Sequence, residues 1–179
     1  MNQWINPLYP LGFPLIHPLM ELPHTPGCVV CGRANPHGLK LSLHVDPETG
    51  IVTTEFTPRA QHVGFEGIVH GGVLSTVLDE AMVWAATWAG RRFCVAAEMT
   101  VRFKKIATLD VPLRVAARVT ESRGKLVQTA GELADGDSLV ATATGKYVRM
   151  SEADHRKFCD TFVDEPQTVA AADSLRHAV

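Results

Sequence analysis

The first 27 residues, MNQWINPLYPLGFPLIHPLMELPHTPG, contain no lysine or arginine. A secretory leader opens on a basic segment, so this apolar stretch is not read as one. Prolines at positions 7, 10, 14, 18, 23 and 26 exclude a helix and favour an extended arm, packed on the body or on a partner subunit. Nowhere does an uninterrupted apolar run reach the roughly 18 residues that a membrane-spanning helix needs. Positive charge is not in excess either. The net charge is -2 and the pI near 6.4, which gives nucleic-acid binding no compositional support. The four cysteines (28, 31, 94 and 159) do not form a secreted disulfide framework; they imply reduced thiols and a cytoplasmic location.

What remains is an ordinary globular composition. Of 179 residues, 46% are hydrophobic and 20% charged, enough to bury one core. The segment LKLSLHV (39–45) alternates strictly and predicts a half-buried strand, with GIVTTEFTP (50–58) as its hairpin partner. Residues 59–69 read as a loop. A helix is predicted over 71–88, ended by Gly90. Four alternating segments follow: FCVAAEMTVRF, VPLRVAARVTES, KLVQTAGEL and SLVATATGKYV. Short turns, among them an Asp-Gly pair at 135–136, join the last three and imply antiparallel neighbours. Ser151 caps a short predicted tail helix, and the remaining tail is read as loose. Two strands, one long helix and four strands make an α+β protein, an antiparallel sheet with a single long central helix.

The helix carries the chemistry. At 100° per residue, Val73, Leu74, Val77, Leu78, Ala81, Met82, Trp84, Ala85 and Trp88 share one broad apolar half. The other half holds Gly72, Ser75, Thr76, Asp79, Val83 and Ala86, with Glu80 and Thr87 at its edge. From 71 to 88 there is no basic residue, so this is not an ordinary solvated face. Its small residues predict close approach by another chain, most simply a second copy. At the helix start, backbone N–H groups of Gly71 and Gly72 have no partner within the helix and suit a carbonyl oxygen that gains charge. Asp79 is eight residues further on, about 12 Å along the axis. It therefore cannot serve a carbonyl bound at its own helix start. Two antiparallel helices across a two-fold axis would bring Asp79 of one chain to the glycines of the other.

The element order and the segment GFEGIVHGGVLSTVLDEAM (64–82) resemble the hotdog-fold thioesterases, in particular the phenylacetate-pathway (PaaI-like) group. The resemblance covers residues 27–150 and is most specific at G-x-V-H-G-G with an acid seven residues after the second glycine. CVVCGRANPHGLKL and EMTVRFKK extend it on either side. It implies a hotdog fold, with the sheet wrapped around the helix, and hydrolysis of acyl-CoA thioesters without metal or redox cofactor. It also implies a homodimer or a dimer of dimers whose sites use both subunits. Carried onto this chain, Gly71 and Gly72 polarise the carbonyl and Asp79 acts as general base or nucleophile. His70 orients the loop or binds near the thioester. His62, Gly64, Arg102 and Lys104 are expected at the substrate, the cations toward the phosphates of CoA. The implied organisation is an arm and Cys-containing loop over 1–36, a hotdog domain over 37–150 and a tail over 151–179. Where some members carry Asn or Gln this chain has Gly64, and where some carry Ser or Thr it has Ala96. These departures keep a non-catalytic acyl-CoA or acyl-carrier binding protein open as the alternative. A hotdog hydratase would want a His-Asp pair over an enoyl chain, which the sequence lacks.

His24, Cys28, Cys31 and His37 have side chains suited to zinc. No second pair with finger-like spacing accompanies them, so they are read as a tight loop of reduced cysteines, with no metal. Cys-x-x-Cys redox chemistry would need a βαβ context that is missing. A Ser75–His70–Asp79 triad lacks a nucleophile elbow.

Overall fold

A computed structural model describes residues 18–177. Most of the expected N-terminal arm, residues 1–17, lies outside the described residues. The arm's last part, β1 (Met20–Glu21), pairs with β2 (Leu43–Val45), Met20 opposite Val45. The elements that follow are β3 (Val52–Phe56), β4 (Val63–Phe65), β5 (Ile68–Val69), α1 (Gly71–Gly90), β6 (Cys94–Phe103), β7 (Leu113–Arg123), β8 (Leu126–Asp135) and β9 (Ser138–Arg149). Two tail helices close the chain: α2 (Glu152–Cys159) and α3 (Val169–Arg176). Seven strands form one antiparallel sheet in the order β1-β2-β3-β7-β8-β9-β6, and α1 packs across β3 and β6 to β9. No helix of the described residues is long and apolar enough to cross a membrane.

Alternation placed the strands well but not their ends. Leu41, Leu43 and Val45 are buried as expected, yet β2 begins only at Leu43. Lys40 takes a left-handed φ of 56°, and the N–H groups of Leu39 and Leu41 turn to the carbonyls of Val29 and Val30. The ladder is interrupted because the cysteine loop supplies those partners instead. Residues 63–69, expected as loop, form the small hairpin β4–β5, turned at Gly67 with φ 74°. The long helix runs two residues further than expected. Arg91, not Gly90, adopts the left-handed cap, and its guanidinium lies 3.6 Å over the Trp88 ring.

The tail also differs from expectation. Ser151 does cap α2, its hydroxyl accepting from the N–H of Asp154. The residues after it are not loose: α3 buries Ala171, Ala172 and Leu175 on one face. Phe162, between the two helices, packs with Trp84 and Phe93 at ring separations of 6.3 and 5.7 Å.

The apolar half of α1 is buried as its spacing predicts, except that Val73 is only half-buried. On the opposite half Gly72 is exposed, and Ser75, Thr76, Asp79 and Val83 are half-buried. Ala86 and Thr87, by contrast, are fully covered. The chain folds back over this last turn: the N–H of Arg92 donates to the Thr87 carbonyl and that of Cys94 to the Thr87 hydroxyl. The small-residue face is thus open only over its first three turns. Those turns hold Asp79.

Candidate active site

His70 is the N-cap of α1. Its backbone N–H donates to the His62 carbonyl at 2.9 Å, and its Nδ1 accepts from the N–H of Gly72 at 2.9 Å. The two glycines are therefore not equivalent. The cap uses Gly72, whereas Gly71 N–H has no partner among the described residues. Gly64 lies behind the cap. A Cβ there would come within 3.0 Å of the His70 Cα, so its lack of a side chain lets β4 close on His70. His62 fixes the same loop. Its Nδ1 accepts from the Arg59 N–H at 2.9 Å, and its ring packs 5.2 Å from Phe56. Burial lowers its pKa.

Gly71 forms part of the wall of a cleft of about 380 Å³. Phe65, Ile68, Leu74, Phe103 and Ile106 supply its apolar lining, with Lys104 and Lys105 among its residues. Phe65 is 80% exposed, Phe103 53% and Ile106 62%, an apolar patch at odds with a wholly solvated surface. Arg102 is not among the lining residues. It neighbours Phe103 on β6, and alternation turns it to the other face of the sheet. His62 lines a separate cleft of about 500 Å³, with His37, Val73 and Thr76.

Asp79 is held by a residue the sequence did not single out. Tyr147, on β9 and completely buried, donates its hydroxyl to Asp79 Oδ1 at 2.7 Å. Burial, then the charge of Asp79, pushes the phenol far above its ordinary pKa, so it remains a donor. Directly across the ladder from Tyr147 is Ala96 on β6, an exposed position beside a bulge. A signal for the Tyr147 contact was present in SLVATATGKYV: a tyrosine at an inward position of a strand needs a buried acceptor for its hydroxyl. Tyr147→Phe is expected to lower unfolding stability by about 1–3 kcal/mol, because it removes a donor from a half-buried carboxyl. A lower denaturant midpoint at unchanged slope would verify this; an unchanged midpoint would exclude it.

Glu80, one residue on, faces elsewhere. Its Oε1 accepts from the Trp84 indole N–H at 3.1 Å and lies 3.9 Å from the Cys28 sulfur. Burial, then the Cys28 charge, pushes its pKa up to about 7. All four cysteines are free. Of the four residues with zinc-ligand chemistry, the fold gathers only Cys28 and Cys31 into one cluster, which Glu80 joins. His37 is exposed, and His24 lies 3.5 Å from Glu165.

Residues 66–142 match the family model of the thioesterase superfamily. No curated protein gives a significant match. Among solved structures, a thioesterase superfamily protein superimposes with a TM-score of 0.63 at 24% identity. That match covers 69% of this chain and 60% of the other, so the chain spans less than two thirds of that relative. Its fold is the hotdog fold. The hotdog domain also matches the Escherichia coli PaaI protein of the phenylacetic acid degradation operon, with a TM-score of 0.54, 24% identity and coverage of 57% and 74%. A third hotdog structure, from Streptococcus mutans and solved with acetyl CoA bound, gives a TM-score of 0.55 at 17% identity, with coverage of 57% and 83%.

Proposed function

We propose that this hotdog protein hydrolyses acyl-CoA thioesters to the free acid and CoA. One observation carries the reading: the sole acid on the open face of α1, Asp79, is fixed by Tyr147, while Gly71 N–H is left free beside an apolar cleft. In this reading the acyl group enters the cleft formed by Phe65, Leu74, Phe103 and Ile106. The thioester oxygen accepts a hydrogen bond from Gly71 N–H at the positive end of the helix. Asp79 takes a proton from water, whose oxygen adds to the carbonyl carbon. Collapse of the tetrahedral species breaks the C–S bond, and the CoA sulfur leaves with the electron pair and receives the proton. Lys104 offers charge to the CoA phosphates. His70 acts as the cap that leaves Gly71 as the donor, a supporting role that His62 and Gly64 share. Arg102, on the other face, has no part in this cleft.

The site uses two chains. Gly71 and Asp79 are eight positions apart on one helix, about 12 Å, too far for one carbonyl. The ten residues of β6 form a largely exposed edge of the sheet. A long bare edge invites pairing, and a two-fold axis beside it builds the site twice. A homodimer, or a dimer of two such dimers, meets that requirement. Acetyl CoA bound to the Streptococcus mutans neighbour is in keeping with acyl-CoA as the substrate class.

A panel of acyl-CoA substrates followed by release of free thiol tests the reading. Turnover of at least one acyl-CoA is the expected result. Saturable affinity across the panel with no thiol release would overturn it in favour of a non-catalytic acyl-CoA binding protein.

A further inference from the structure

Cys28, Cys31 and Glu80 come from distant parts of the sequence, yet their ligand atoms all lie within 4.8 Å of one another. The cysteines sit on a turn that is tight for a stated reason. Gly32 follows Cys31, and a Cβ there would fall 2.5 Å from the Cys28 carbonyl oxygen, 2.6 Å from its nitrogen and 2.7 Å from the Pro26 carbonyl oxygen. Only glycine lets the backbone close so far. The turn aims two backbone N–H groups at the Cys28 sulfur, from Val30 at 3.3 Å and from Cys31 at 3.5 Å. Such donors stabilise a thiolate, the form in which sulfur binds metal. On the helix side, the Trp84 indole holds the Glu80 carboxyl in place, as an outer hydrogen bond fixes a metal ligand.

No lysine or arginine forms an ion pair with any of the three among the described residues. A divalent cation would supply the missing positive charge.

We propose that Cys28, Cys31 and Glu80 bind one zinc ion, which fastens the cysteine loop to the middle of α1. Tetrahedral zinc with two sulfur and one oxygen ligands requires ligand–ligand separations of about 3.5–3.8 Å. The 3.9 Å between Cys28 and Glu80 is close to this. Two thiolates with a carboxylate suit zinc better than magnesium or calcium, which prefer all-oxygen sites. Three protein ligands leave the fourth position for water. The ion sits one residue from Asp79, so it holds the helix segment that carries the candidate base without touching it. The site is independent of the thioesterase reading, since neither the cleft nor Gly71 belongs to it.

The test uses the reduced full-length chain, stripped with a chelator and then titrated with Zn²⁺. Elemental analysis after gel filtration is expected to give one zinc per chain, and the melting temperature to rise with zinc. Replacing zinc by Co²⁺ is expected to give a thiolate-to-cobalt charge-transfer band. Cys28→Ser and Cys31→Ser should each abolish the band and the thermal shift. Glu80→Gln keeps the shape and the Trp84 contact, and should weaken zinc about tenfold or more. His37→Ala should bind as wild type. Substoichiometric zinc with no thermal shift in the wild-type chain would overturn the proposal. So would zinc binding to the Cys28→Ser and Glu80→Gln variants with undiminished affinity.

Discussion

Asp79→Asn is expected to lower kcat/KM for acyl-CoA hydrolysis about a hundred- to ten-thousand-fold, the usual loss on removing a general base. The amide keeps an oxygen that can accept from the Tyr147 hydroxyl, so the change is confined to the ability to take a proton. Melting temperature and oligomeric state are expected to stay near those of the wild type. Glu80 cannot substitute for the lost acid. It is turned about 100° around the helix from Asp79, and Trp84 and Cys28 occupy its carboxyl. Stopped-time assays of thiol release on the purified variant provide the measurement. Turnover equal to that of the wild type would remove Asp79 from the mechanism.

Gly71→Pro is expected to lower kcat by about a hundred- to a thousand-fold, the magnitude seen when one oxyanion donor is lost. Proline at the first helical position deletes the free N–H and is otherwise well tolerated there. His70 precedes it with φ -63° and ψ 129°, a conformation that a following proline favours. The added atoms approach the Phe103 ring at 3.2 Å, and that ring is exposed enough to give way. The decisive experiment mixes the two dead variants. In a randomly exchanged mixture half of the dimers carry one chain of each kind. If every site joins Gly71 of one chain to Asp79 of the other, each mixed dimer keeps one intact site. Activity should then return to about a quarter of the wild-type value per chain. A site built within one chain would recover nothing.

Much of the hotdog fold could be read from alternation and from one helical stripe, because a sheet facing a single helix leaves a plain pattern of buried residues. Where the reading failed, a distant segment had taken over a local group. Lys40 breaks the expected strand because Val29 and Val30 accept its neighbours' N–H groups. Ala86 and Thr87 are covered because residues 92–94 return across the helix end. The tail after α2 is ordered because Ala171, Ala172 and Leu175 have an apolar surface to meet.

The same division holds at the candidate site. The sequence by itself determined how far apart Gly71 and Asp79 stand and that no cation shares their helix face. Helical rise follows from local hydrogen bonds alone, so that distance needs no tertiary information. Only the tertiary structure decided which side chains those residues meet. Tyr147 is 68 positions from Asp79, and Cys28 is 52 from Glu80. The first pairing depends on the register that sets Tyr147 opposite Ala96, the second on a loop folded tightly around Gly32. Register and loop closure are fixed by the whole sheet and its packing on α1, and no local pattern encodes them.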